Sequence, residues 1–268
     1  MNLLTNNYKK ELNEILKENE RKDISTYKQY LKLPLKKFLI NSSHNSYIHS
    51  TQHFGFSTYK SIQRCLDMGA RCLELDIHES NSDIYVAHGN DKVLSTTRIK
   101  VKECLEVINL FDTTDPIIIC LEIFINTDSL KVKLNKIVKE VFKDRLLNSI
   151  YKKTNPYAYY IDDTPIENLL NKIILINSQS ENIEEIIDKT KLVNFHNESQ
   201  SIKTKFPDNL VRVYPNPTIW SALSYNFDSS KYFKYNHNMV IMNFSVVDKY
   251  LLEYIKKFKS CSYIPINY

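Results

Sequence analysis

Glycine is nearly absent: Gly55, Gly69 and Gly89 are the three in 268 residues. A phosphate-cradling loop of the Walker or Rossmann kind needs several glycines close together, so nucleotide binding by either is excluded. The chain also lacks a paired cysteine pattern. Cys65, Cys72, Cys104, Cys120 and Cys261 are scattered, odd in number and without a C-x-x-C. They read as thiols of a reducing compartment, neither a disulfide frame nor a zinc site. No window approaches about 18 uninterrupted apolar residues, so no spanning helix is expected. The opening MNLLTNNYKKELNEILKENERKD reaches its charges without an apolar signal core, and the expectation is a soluble, cytoplasmic protein. A large charge excess is missing too. The formal net charge of +5 suits peripheral contact with an anionic membrane surface but is too small for a nucleic-acid footprint.

What is present is an enzyme-sized core, 43% hydrophobic and 25% charged, ordinary for a globular chain. Residues Asn6 to Lys22 alternate at helical spacing, predicting an amphipathic N-terminal helix. Short apolar runs predict strands at Phe38–Ser42, Cys72–Ile77, Ile84–Ala87, Pro116–Glu122, Ile173–Asn177, Leu192–Phe195, Leu210–Tyr214 and Met239–Phe244. Helical patterns lie between them near Thr58–Met68, Val101–Phe111, Ser129–Phe142, Ile183–Lys189 and Asp248–Phe258. Strands apolar at nearly every position, alternating with helices, indicate a parallel sheet covered on both faces. Eight of them suit an α/β barrel, whose active site lies at the C-terminal strand ends. The Tyr151–Pro165 stretch reads as a long loop over the barrel rim.

Polar residues collect at those strand ends. Ser43-His44-Asn45 follows the first strand, and Glu74 and Asp76 stand two apart in the second, so both carboxylates share one face. His88 and Glu122 end the next two. Two acids on an inward face are costly unless a cation pairs with them. Oxygen ligands from Glu, Asp and Asn suit a hard cation, Ca²⁺ or Mg²⁺, and not zinc. Two imidazoles beside such a cation suggest a phosphoryl centre. His49, His53, His78, His196 and His237 are read as structural, and Asp112/Asp115 as a turn before a strand.

The run Leu33-Pro34-Leu35-Lys36-Lys37-Phe38-Leu39-Ile40-Asn41-Ser42-Ser43-His44-Asn45-Ser46-Tyr47 resembles the opening motif of the phosphatidylinositol-specific phospholipase C catalytic X region. Gly69-Ala70-Arg71-Cys72-Leu73-Glu74-Leu75-Asp76 resembles its second motif and Tyr85-Val86-Ala87-His88-Gly89 its third, while Ile117–Glu122 is similar to the fourth strand. Leu210–Pro215 and Met239–Phe244 look, more weakly, like strands of the Y half. The resemblance spans about Leu33 to Phe244.

It implies a distorted TIM (β/α)8 barrel in residues 33–268 behind an N-terminal extension of residues 1–32. An X-like part (33–177), a short linker (178–189) and a Y-like part (190–268) would make up the barrel. It further implies Asn45, Glu74, Asp76 and Glu122 as Ca²⁺ ligands. His44 and His88 would be the catalytic pair, with Glu74 or Asp76 taking a proton, and Arg212 and Tyr214 would contact the inositol headgroup. The activity implied is calcium-dependent cleavage of membrane phosphatidylinositol, or its phosphates, to diacylglycerol and cyclic or open inositol phosphate. Where the family carries two lysines that bind ring phosphates, this chain has Asn177 and Gln179, which removes a reason to prefer multiply phosphorylated lipids. The alternatives are another metal-dependent barrel phosphodiesterase, of glycerophosphodiester or sphingomyelin type, and a catalytically silent inositide-binding module.

Overall fold

Alternation along the strands sorts the buried side chains into two sets. The computed structural model describes residues 2–18, 20–49, 55–89, 95–177, 183, 186–197, 203–216 and 225–266. Within it, Cys72, Ile118, Cys120, Ile174, Ile176 and Ile241 share one cluster. Their sequence neighbours Leu73, Leu75, Ile119, Leu121, Leu175 and Val240 belong to another. Period two in a strand sends successive side chains to opposite faces, so the first cluster fills the inside of a curled sheet and the second lies under the helices.

The chain runs α1 (Asn2–Lys17), β1 (Phe38–Ile40), β2 (Ser42–Ser43), α2 (Tyr59–Asp67), β3 (Cys72–Ser80), β4 (Asp83–Val86), β5 (Ile99–Lys100), α3 (Val101–Leu110) and β6 (Ile117–Phe124). It continues through α4 (Asp128–Phe142), β7 (Ile173–Asn177), β8 (Val193–His196), β9 (Val211–Tyr214), α5 (Ser230–Phe233), β10 (Met239–Met242), α6 (Lys249–Lys257) and β11 (Tyr263–Pro265). Seven strands are parallel neighbours in the order β8-β9-β10-β2-β3-β6-β7. This is the sheet of a distorted TIM barrel. Helices α2, α3 and α4 alternate with strands in the first half, each with a buried apolar stripe. Thr58 caps α2, its Oγ1 accepting from Ser61 N at 3.1 Å, and Asp248 caps α6 in the same way through Leu251 N.

Three expectations are corrected. The Ile84–Ala87 strand is not a parallel member of the barrel: β4 runs antiparallel to the outer half of β3, Ile77 opposite Val86. β3 is long enough, at nine residues, to pair with β2 at its start and with β4 at its end on the same edge. The Phe38–Ser42 strand breaks at Asn41. Its first part, β1, leaves the barrel to pair antiparallel with β11, and Phe38, Ile40 and Tyr263 close the inner core at the N-terminal strand ends. No helix covers the described residues of Ile183–Lys189.

Asp188 of that segment instead lies along the edge of β7, and β7 and β8 are not paired with each other among the described residues. Asp188 N donates to Leu175 O, and Asp188 Oδ2 accepts from Leu175 N, so one residue imitates a strand partner. Its other oxygen accepts from Lys152 Nζ at 2.6 Å, both side chains being buried. Removing one partner of a buried pair strands the other, at about 3–5 kcal/mol. Asp188→Ala should therefore lower the urea unfolding free energy by about that amount, and Lys152→Met/Asp188→Leu by much less. Burial also pushes the Asp188 carboxyl up to about 6, Lys152 opposing. The folded state then holds this proton more tightly than the unfolded one. Stability contributed here falls as pH rises from about 4 through about 6, and Asp188→Asn should remove that slope.

Candidate functional site

The C-terminal strand ends bring the predicted residues into one buried cluster. His44 and Asn45 leave β2 on a turn in which Asn45 takes a positive φ of 45°, a region asparagine tolerates better than most residues. The turn aims the Asn45 backbone N–H at Glu74 Oε2, 3.0 Å away. Ser46 ties the same turn to β3: its N–H donates to Glu74 O, and its Oγ accepts from Glu74 N. His88 arrives differently from expectation. The β3–β4 hairpin folds back, so that Ala87 N reaches Asp76 O and the next residue's Nδ1 lies 3.3 Å from Asp76 Oδ2.

Both imidazoles have one nitrogen committed. Asn243 Nδ2 donates to Tyr225 O at 2.6 Å, which turns its Oδ1 toward His44 Nδ1 at 2.8 Å. A carboxamide oxygen only accepts, so Nδ1 carries the hydrogen, and Nε2 faces Glu74 Oε2 at 3.4 Å. His88 Nδ1–H likewise donates to the Asp76 carboxylate. In each ring the fixed Nδ1–H sets the tautomer in which Nε2 is the nitrogen able to take up a proton, the arrangement general acid–base chemistry needs.

Arg212, 2% exposed, rises from β9 between the acids. Its Nη1 is 3.3 Å from Glu74 Oε1 and its Nη2 3.1 Å from Glu122 Oε1. Burial alone would lower the guanidinium pKa, but Glu74, Cys120 and Glu122 around it hold it above its usual value. Burial and the nearby Glu74 charge push Glu122 up, against the pull of Arg212. Tyr214 lies under the guanidinium carbon, 5.2 Å from ring centre, and burial raises its phenol.

Asn45 Oδ1, Glu74, Asp76 and Glu122 form an all-oxygen donor set. Asp76 Oδ1 is buried and has no hydrogen-bond partner among the described residues. Three carboxylates against one guanidinium leave negative charge in excess, so these residues fit a hard divalent cation. Among the described residues no three acidic, His or Cys side chains converge closely enough to form a ready-made ion cage, because Arg212 stands between Glu74 and Glu122.

Two residues given no role from the sequence prove central to the geometry. Asn243 fixes the His44 tautomer. Tyr47, fully buried, has its hydroxyl 2.8 Å from Asp76 Oδ2, 3.0 Å from Asn45 Oδ1 and 3.3 Å from Ala87 O. Its place two residues after Asn45 was the available signal. Of the histidines read as structural, His78 is buried and stacked on Phe124, whereas His196 touches the site through Tyr214. Asn177 ends β7 in a buried position; Gln179 and His53 lie outside the described residues.

The chain belongs to the family of phosphatidylinositol-specific phospholipase C X domains, whose family model matches residues 31–179, more than half of it. Among curated relatives, "1-phosphatidylinositol 4,5-bisphosphate phosphodiesterase" of Dictyostelium discoideum is 33% identical over 126 residues, 46% of this chain and 15% of that protein. "1-phosphatidylinositol 4,5-bisphosphate phosphodiesterase beta-2" of Homo sapiens is 30% identical over 154 residues, 55% of this chain and 13% of that one. "Inactive phospholipase C-like protein 2" of Homo sapiens is 31% identical over 129 residues, 46% and 11% of the two chains. The matched segments are thus a small fraction of these relatives' length. Among solved structures, PLC21 of L. pealei superposes with a TM-score of 0.73 at 18% identity, over 88% of this chain and 37% of that one. A calcium-dependent phosphoinositol-specific phospholipase C from Pseudomonas sp gives 0.51 at 13%, over 82% and 93%. These two support the barrel fold.

Tyr47→Phe deletes the hydroxyl that donates to Asp76 and leaves a buried carboxylate short of a donor. An unfolding free energy lower by about 1–3 kcal/mol is expected in urea titrations, and an unchanged value would remove Tyr47 from the network.

Proposed function

We propose that this chain is a calcium-dependent phosphoric diester hydrolase that cleaves phosphatidylinositol at the membrane surface to diacylglycerol and inositol phosphate. The observation that carries the proposal is the pairing of two Nδ1-anchored imidazoles, His44 and His88, with a buried oxygen donor set at the barrel mouth. Family membership supports the substrate class. No helix among the described residues is long and apolar enough to cross a membrane, and we place the protein in the cytoplasm, touching lipid peripherally.

Asn45, Glu74, Asp76 and Glu122 would hold the ion. Calcium, when bound, supplies polarisation of the inositol 2-hydroxyl and of a phosphate oxygen. Glu74 or Asp76, both inside the barrel mouth, accepts the hydroxyl proton as that oxygen attacks the neighbouring phosphorus. His44 and His88 stabilise charge on the phosphoryl oxygens through Nε2, and one of them protonates the departing diacylglycerol oxygen. Water opening the cyclic phosphate would use the same groups in reverse. Arg212 and Tyr214, stacked together on β9, face the headgroup. The silent-module alternative is opposed by the presence of both imidazoles and all four oxygen donors. A different barrel phosphodiesterase would release another alcohol.

The test is diacylglycerol release from phosphatidylinositol vesicles with calcium and with excess chelator, alongside His88→Ala. Release is expected with calcium only, and the variant should lose about 10²–10⁴ in kcat. Wild-type turnover in the variant, or no release by folded, calcium-loaded protein, would contradict the proposal.

A further inference from the structure

His88 stands two residues beyond the last ladder pairs of β4, in which Val86 lies opposite Ile77 of β3 and Ile99 of β5. Its main-chain groups must therefore find partners outside the strand. Ser95 and Thr96 supply them. The His88 N–H donates to Thr96 Oγ1 at 2.8 Å, and His88 O accepts from Ser95 N at 2.8 Å and from Ser95 Oγ at 3.2 Å. Continuing the antiparallel β4–β5 register would set Thr97 opposite His88, but Thr97 is engaged elsewhere: its Oγ1 accepts from Ser57 N at 3.0 Å. A side-chain hydroxyl thus stands in for a main-chain carbonyl. That hydroxyl is itself held, 2.8 Å from Ser57 Oγ, with both residues buried. Ser57 pairs with Ile48, and Thr58 N donates to Tyr47 O. Tyr47 Oη in turn donates to Asp76 Oδ2, which faces His88 Nδ1. A closed circuit through Thr96, Ser57, Tyr47 and Asp76 therefore surrounds His88.

We propose that Thr96 is a positioning residue for His88: its hydroxyl fixes the His88 backbone, Ser57 fixes that hydroxyl, and together they aim Nε2 at the reacting phosphoryl group. The proposal rests on the reading of His88 as a catalytic imidazole. Asp76 sets the tautomer of the ring, but its 3.3 Å contact lies at the long end for a hydrogen bond. Where the ring stands depends first on where its Cα is held, and a displacement of about 1 Å can cost about 10²-fold in rate. Threonine suits the task, because branching at Cβ leaves few χ1 rotamers and keeps Oγ1 on the amide. Valine has the same shape without the oxygen. It would leave the His88 N–H and the Ser57 hydroxyl facing a methyl group, and nothing at the ion's oxygen donors would change.

Thr96→Val, Thr96→Ser and Ser57→Ala in the full chain test this through the exchange of the His88 amide hydrogen, calcium affinity and steady-state cleavage of phosphatidylinositol vesicles. In Thr96→Val the His88 amide should exchange at least about tenfold faster. Its kcat should fall about ten- to a hundredfold, with KM and calcium affinity within about twofold of wild type. Thr96→Ser, which keeps the oxygen, should restore kcat to within about threefold of wild type. Ser57→Ala should lower kcat by a smaller factor, and adding it to Thr96→Val should cost nothing further. A wild-type kcat in folded Thr96→Val, a Thr96→Ser as slow as the valine variant, or calcium affinity falling in step with kcat would overturn the proposal. Should Thr96→Val fail to fold, Ser57→Ala decides: a faster His88 amide with a lower kcat supports the role, and a wild-type value of either overturns it. Lipid cleavage by wild type with unchanged kcat in the variants removes the positioning role and leaves the catalytic reading intact. Faster His88 exchange in Thr96→Val, with no cleavage by wild type, overturns instead the catalytic reading on which the role depends.

Discussion

A buried guanidinium between carboxylates organises the interior of this barrel. Arg212 cannot leave water without partners, and neither can Glu74 or Glu122. Held together at 3.1–3.3 Å, the three fix how β9 faces β3 and β6 across the barrel. One cation does not balance three acids, and Asp76 remains with an oxygen that no described group satisfies. The resting site is therefore short of positive charge at the point where strands β2, β3 and β6 end. A hard cation answers that shortage, and the same field disfavours further anionic groups unless a cation accompanies them.

Around this charge the chain spends its hydrogen bonds on direction. Tyr47 joins the turn after β2 to Asp76 and to the hairpin return at Ala87. Asn243, at the end of β10, dictates which His44 nitrogen carries hydrogen because its own amide is fixed by Tyr225. Asn45 bends into a left-handed conformation to place an N–H on Glu74. Each of these constraints uses a neutral partner, so His44 and the acids are oriented without altering the charge balance. Such preorganisation lets a site stabilise developing charge without rearranging.

Period-two alternation made most of the sheet readable in sequence. Glu74 and Asp76 fall on the inner face because Leu73, Leu75 and Ile77 must face the helices, and the same rule places Cys120 and Glu122. The motif residues at strand ends also meet in space. Hairpin geometry was not readable, since the apolar run at Ile84–Val86 looks alike whether it pairs parallel or antiparallel, and only the length of β3 decides. The stretch Ile183–Lys189 has helical spacing, but the open edge of β7 and the buried Lys152 claim Asp188 instead. Tyr47 and Asn243 escaped notice as site residues because their importance comes from which atom they face, a property of register and not of residue type.

The central claim is that the buried acids form a hard-cation site, and calcium binding to the chain tests it most directly. Isothermal titration of calcium into wild type and into Asp76→Asn, with the unfolding temperature of each followed, separates the outcomes. The account predicts saturable binding that raises the wild-type unfolding temperature, with affinity lost by at least about tenfold in the variant. Equal calcium affinity in the two proteins, or no binding to folded wild type, would contradict it.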